Sequence, residues 1–141
     1  TIHRLGIAHR DIKPSNMMIK GDQVKYVDFG LSCLQKRCDS LTAGAGTKMF
    51  WAPEIMTNPG QYTDLDSAQR ADIWALGMVI WNIATGVNLY FEFKRVRPKT
   101  DFNLTYQIGK EPSLKHLDDK ALTVAPELAH MLVQDPDNRW I

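Results

Sequence analysis

The chain is poor in cysteine, with only Cys33 and Cys38 among 141 residues. Two cysteines make no disulfide framework of the kind that staples small secreted domains, and they fit a reducing compartment. With no second Cys/His pair at metal-binding spacing, they are expected to be plain loop thiols. Charge of one sign is also missing. Lys and Arg total 17 against 16 Asp and Glu, a net +1, so nothing electrostatic argues for a nucleic-acid or membrane partner, and neither is expected. Long apolar runs are absent too. The longest, 73–81, has nine residues, against the roughly 18 to 20 that a bilayer requires. There is no internal repeat, low-complexity tract, signal peptide or transit-like stretch. The expected location is cytoplasmic, with the nucleus left open. What remains is 44% hydrophobic and 23% charged, the balance of a globular domain with one substantial core.

The coarse pattern is a small β unit followed by helices, an α+β class. Residues 17–19 and 24–27 read as short strands around a turn-prone 20–23. In a hairpin centred near Asp22, Asn16 and Asp28 fall at equal distances from the turn and emerge side by side. That placement lets them share one metal ion. Residues 31–50, rich in Gly, Ser and Thr, read as a long loop, and loops of that length are usually functional. Residues 71–85 read as a helix apolar on nearly every side, stopped by Gly86, and such helices sit at a domain's centre. Further helix candidates are 104–108 and 126–133. The spacing of Trp74, Met78 and Trp81 predicts core packing.

Chemistry concentrates in two short motifs, H-R-D-I-K-P-S-N from His9 to Asn16 and D-F-G from Asp28 to Gly30. Asp11 is a carboxylate able to accept, or aim, the proton of an attacking hydroxyl. Lys13 is placed to offset charge on a transferred phosphoryl group. Asn16 and Asp28 are hard oxygen donors suited to Mg²⁺, which takes few protein ligands. Gly30 permits a sharp turn after the second of them.

Later blocks join these. Gly46-Thr47 is followed by Ala52-Pro53-Glu54, then by D-I-W-A-L-G from Asp72 to Gly77 and D-P-D-N-R-W from Asp135 to Trp140. In this order the blocks resemble the C-terminal, catalytic lobe of a eukaryotic-type serine/threonine protein kinase along nearly the whole chain. The resemblance implies a mostly helical lobe with a short β-hairpin bearing the catalytic loop 9–16, an activation segment 28–54 and a central helix near 71–85. It implies ATP and Mg²⁺ as cofactors and a protein substrate with a Ser or Thr acceptor. Asp11 would be the catalytic base, Lys13 would contact the γ-phosphate, and Asn16 and Asp28 would hold the metal.

Lys13 within D-I-K-P-S-N is the serine/threonine form, and Thr47 matches the threonine that bonds the catalytic Asp and Lys. Leu31 leans toward serine acceptors. Arg10, just before the catalytic Asp, resembles kinases whose activation segment is ordered by a phosphate, with Ser40 and Thr42 as candidate acceptors. Glu54 and Arg139 would form a buried ion pair, and Asp72 would hold the catalytic loop by its backbone. His9 would be an anchor rather than an acid or base. His3, His116 and His130 have no motif partner and are expected to be ordinary. Lys94, Arg95, Arg97 and Lys99 form a basic stretch, by default a solvated loop, with a docking patch for acidic partners as the minority reading.

The departures from the pattern matter. Phe50 stands where a tyrosine is common, and Trp51 is bulkier than the usual neighbour. No G-x-G-x-x-G loop, V-A-I-K-type lysine or partner glutamate occurs in the 141 residues, and those parts cover ATP and align its phosphates. The chain is therefore expected to be a partial kinase domain, 1–141, without the N-lobe and the final helix. It is expected to expose an apolar face toward the missing lobe and to be inactive alone. A second class stays open, a non-catalytic pseudokinase or truncated kinase-like binding module.

Overall fold

A computed structural model describes residues 1–34, 37–38, 45–58 and 64–140. Two small antiparallel sheets precede a set of helices. Strand β1 (Ile7–Ala8) pairs with β4 (Cys33–Leu34), and β2 (Met17–Lys20) pairs with β3 (Gln23–Tyr26). The helices are α1 (Pro53–Thr57), α2 (Leu65–Thr85), α3 (Leu89–Val96), α4 (Phe102–Thr105), α5 (Lys115–Val124) and α6 (Leu128–Met131). The expected α+β class, mostly helical with one short hairpin, is what forms.

Helix α2 organises the core. It begins six residues earlier than its apolar pattern predicts, because Asp64 and Ser67 form a capping box: the Ser67 N–H donates to Asp64 Oδ1 at 2.8 Å, and the Asp64 N–H reaches Ser67 Oγ at 3.3 Å. Such reciprocal caps satisfy donors that a helix start would otherwise leave unpaired. At the other end Gly86 donates its N–H to the Asn82 carbonyl at 2.8 Å and stops the helix. Trp74, Met78 and Trp81 are all buried, as their spacing predicts. Gly77 lets a neighbour approach closely, since a Cβ there would meet the Leu132 side chain at 2.9 Å. Among the described residues, no single helix is long and apolar enough to cross a membrane.

Beyond α2 a buried carboxylate ties three elements together. Asp118 on α5 accepts from Trp81 Nε1 at 3.0 Å, from the Tyr106 hydroxyl at 2.8 Å and from the Gly109 N–H at 3.0 Å. Burial pushes the Asp118 carboxyl above its ordinary range, against the opposing pull of these three donors. A raised folded-state value means that its stabilising share is full at low pH and is lost as pH rises through the folded pKa.

Several expectations need correction. The β2–β3 register pairs Lys20 with Gln23 across a two-residue turn, Gly21-Asp22, with Gly21 at φ +58°. The hairpin is therefore centred between 21 and 22, and Asn16 lies across from Val27, whose N–H donates to the Asn16 carbonyl at 2.9 Å, rather than across from Asp28. The expected loop 31–50 contains strand β4, which pairs with a strand 26 residues earlier in the chain, a partner that no local pattern announces. Helices α4 and α6 are displaced or shortened relative to 104–108 and 126–133.

Helices α3 and α5 form where none was expected. In α3 the Asn88 side chain caps the start by accepting from the Phe91 N–H at 3.3 Å, so Lys94 and Arg95 stand on a helix and not in a loop. The cysteines are not plain thiols, because Cys33 and Cys38 form a disulfide with a Cα–Cα distance of 5.0 Å.

Arg139 joins the last turn to the helices. Its Nη1 and Nη2 donate to Glu54 Oε1 and Oε2 at 2.7 and 3.0 Å, while further donors reach the carbonyls of Val133, Gln134 and Arg70. The guanidinium is fully buried. Glu54→Ala strands that cation, and is expected to lower unfolding free energy by about 3 kcal/mol, the low end for a broken buried pair because four carbonyl contacts remain. Urea denaturation followed by tryptophan fluorescence reads the change.

Candidate active site

The catalytic loop is held from below. The Asp72 carboxylate, on the first half of α2, accepts from the His9 N–H at 2.7 Å and the Arg10 N–H at 2.8 Å. It also contacts His3 Nε2 at 2.9 Å, a partner that the sequence does not mark. Arg10 adopts φ +69°, a conformation rare outside glycine, so the carboxylate fixes a turn the chain would not otherwise favour. His9 is an anchor here: it is buried, its Nε2 lies 3.0 Å from the Val27 carbonyl, and its ring packs on Phe29 with centroids 5.0 Å apart.

Above this turn three side chains meet. Thr47 Oγ1 donates to Asp11 Oδ1 at 3.0 Å and accepts from Lys13 Nζ at 2.9 Å. Lys13 Nζ also lies 3.3 Å from Asp11 Oδ2. Asn16 Nδ2 donates both to the Asp11 carbonyl at 2.9 Å and to Asp11 Oδ2 at 3.0 Å. Asp11 is thus oriented from two sides, by an amide on one and by a hydroxyl and an ammonium on the other. A carboxylate so fixed can receive a proton at a defined position, and the cation beside it can meet developing phosphoryl charge.

The fit to a divalent cation follows from the donors left over. Asn16 spends its Nδ2 on Asp11, which leaves Oδ1 as its remaining polar atom. Asp28 accepts from the Gly30 N–H at 3.2 Å through Oδ1, leaving Oδ2. Two hard oxygens suit Mg²⁺, which takes much of its shell from water and phosphate. No group of three His, Cys, Asp or Glu side chains is gathered for a metal among the described residues. Asp28 sits at φ +59°, so its placement is strained and local to the D-F-G turn.

The chain after D-F-G reaches this centre through Gly46. At φ +96° a Cβ on Gly46 would stand 2.5 Å from the Arg10 carbonyl, so only glycine lets the segment lie against the catalytic loop. The Trp51 indole N–H donates to the Ala45 carbonyl at 3.1 Å and braces the same bend, a use for the bulky residue that the sequence does not suggest. Arg10 is buried and its Nη1 donates to the Leu31 carbonyl at 3.3 Å, tying the loop to the start of the segment. Leu31 is exposed, and Ser40 and Thr42 lie outside the described residues. His116 is exposed, whereas His130 stacks flat on Trp140 at 4.8 Å.

This arrangement, a backbone-tethered H-R-D turn with a Thr-Asp-Lys cluster above it, defines a class. The model of the protein kinase domain family matches residues 1–141, and the chain belongs to that family, in its eukaryotic type. It is similar to a probable myosin light chain kinase of Dictyostelium discoideum, 32% identical over 98% of this chain and 38% of that protein. It is also similar to the human dual specificity mitogen-activated protein kinase kinase 7, 39% identical over 77% of this chain and 25% of the relative. A calcium/calmodulin-dependent protein kinase kinase of Caenorhabditis elegans is 41% identical over 60% of this chain and 16% of its own length. The chain spans well under half the length of these relatives.

The disulfide lies within the segment between Gly30 and Gly46. Alkylation without reduction is expected to leave Cys33 and Cys38 unmodified, and reduction to add two alkyl groups. Tryptic mapping checks this directly, because Lys36 and Arg37 place cleavage sites between the cysteines and the two peptides stay joined until reduced.

Proposed function

We propose that these residues form the catalytic side of a protein serine/threonine kinase, which transfers the ATP γ-phosphate to Ser or Thr hydroxyls of protein substrates. The observation that carries this reading is the Thr47 hydroxyl bridging Asp11 and Lys13 at 3.0 and 2.9 Å. It joins the activation segment to both charged groups of the catalytic loop, as substrate positioning by that segment requires. Asp11 takes or aims the acceptor proton. Lys13 faces the transferred phosphoryl group. Asn16 and Asp28 hold Mg²⁺, which supplies charge neutralisation of the phosphates when bound. The protein substrate, ATP and Mg²⁺ are thus the partners of this site, with the cytoplasm or nucleus as its place of action, although the Cys33–Cys38 disulfide removes the support that free thiols gave to a reducing compartment.

Regulation forms part of the same proposal. Phosphorylation of Ser40 or Thr42 would place an anion opposite Arg10, whose guanidinium already lies against the segment at Leu31. The intact cluster of Asp11, Lys13, Asn16 and Asp28 counts against a pseudokinase on this side of the cleft.

In the full-length protein, Asp11→Asn is expected to lower kcat on a serine peptide by at least about 100-fold with little change in KM, the loss typical of a general base. A matched threonine peptide is expected to be phosphorylated more slowly than the serine one, and a tyrosine peptide not at all. Transfer to tyrosine at a comparable rate would give this site the broader specificity named for the human relative. The 141 residues alone are expected to give background rates in the same radiometric assay, because no Gly-rich loop or V-A-I-K-type lysine occurs in them.

A further inference from the structure

The basic stretch after α2 divides in two once folded. Arg97 is bound by Glu111 through paired contacts of 3.1 to 3.2 Å, and Arg95 lies 3.0 Å from Glu92. Those two cations are neutralised. Lys94 and Lys99 instead line a cavity of about 330 Å³ together with Lys48, Tyr90, Asp101 and Asn103. Among the described residues none of the three lysines is paired with a carboxylate. One donor of Lys94 is fixed on the Thr100 carbonyl at 2.9 Å, which holds its ammonium at the cavity. Against these three cations stands one carboxylate, Asp101.

A second feature points to a ligand. Asn103 lines the same cavity, is 0% exposed, and has no hydrogen-bond partner at either Oδ1 or Nδ2 among the described residues. Buried amides are nearly always paired, so an orphan in a wall of lysines calls for a reason. A shift of that wall around an anion held by the ammonium groups would let Nδ2 donate to it and supply that reason.

Position connects the cavity to the catalytic centre. Lys48, which lines the cavity, directly follows Thr47 in the chain, and Thr47 is bonded to Asp11 and Lys13. An extended peptide advances about 3.3 Å per residue, which brings a side chain a few positions from the acceptor within reach.

We propose that this cavity binds an anionic side chain, a carboxylate or a phosphate, within about four residues of the acceptor hydroxyl of a peptide substrate. The proposal rests on the kinase reading above and names the substrate class of that site.

The test uses the full-length protein and serine peptides carrying glutamate, phosphoserine or glutamine at each position flanking the acceptor. At one position the anionic peptides are expected to exceed the glutamine peptide in kcat/KM by about tenfold or more, the scale of a charge-assisted contact. In Lys48→Gln/Lys99→Gln that ratio is expected to fall toward one. Preference for phosphoserine over glutamate identifies a phosphate-type site, and equal preference a general acidic one. A wild-type protein without preference at any position, or a ratio untouched in the double variant, overturns the proposal.

Failure to phosphorylate any peptide, glutamine ones included, would instead refute the kinase reading. Binding of a labelled phosphoserine peptide to the Asp11→Asn protein is therefore measured in parallel. A Kd raised about tenfold by the lysine substitutions supports the cavity's role. A Kd that does not change, or no binding, removes it.

Discussion

A single buried carboxylate sets the geometry on which the candidate site depends. Asp72 is 2% exposed and accepts two consecutive backbone N–H groups, from His9 and Arg10. Without it those donors would be buried and unpaired, each at a cost of about 1 to 3 kcal/mol. The Arg10 backbone would also lose what holds it in the left-handed region. Because Asp72 stands on a stretch of α2 whose neighbours Ala71, Trp74 and Ala75 are buried in the core, the turn carrying Asp11 is anchored to the core. His3 adds a third contact to the same carboxylate, so the residues leading into β1 are fastened to the point that aims Asp11.

The second constraint works from the opposite side. The activation segment contributes Thr47 only because Gly46 allows its backbone to touch the Arg10 carbonyl and Trp51 closes the bend on Ala45. The turn carrying Asp11 is thereby held between a helix on one side and the Gly46-Thr47 backbone on the other. The disulfide joins Cys38 to Cys33, and Cys33 pairs with Ala8 of β1, so it ties residues beyond β4 to the strand that leads into the Asp72-held turn.

Much of this was legible in the sequence, for uneven reasons. The motifs from His9 to Asn16 and from Asp28 to Gly30 carry their chemistry in residue type and spacing, and the apolar run in α2 announces a central helix. Glu54, Arg139 and Asp72 were legible only through resemblance, since no local pattern tells a buried charge from a solvated one. The hairpin register slipped by one because turn geometry, not the symmetry of flanking residues, decides which pairs face each other. Strand β4 and the disulfide are long-range or backbone-determined features, and a two-residue strand has no periodicity to read. Helix α3 was hidden because its charged residues resemble a solvated loop until Asn88 caps the start and Glu92 and Glu111 take up two of the arginines.

That division of the basic stretch shows how folding turns composition into function. In sequence Lys94, Arg95, Arg97 and Lys99 are four equivalent cations. In the fold the two guanidinium groups, suited to planar carboxylates, are used internally on Glu92 and Glu111, and the two ammonium groups face a cavity shared with Lys48. Net charge of +1 conceals this local surplus, because the compensating acids lie elsewhere on the chain. The same logic separates Asp72 from Asp118. Both are buried carboxylates bound to or carried by α2, yet one receives loop backbone and aims a reactive group, while the other receives Trp81, Tyr106 and Gly109 and only fastens helices. What a buried carboxylate does in this fold is decided by which donors it receives.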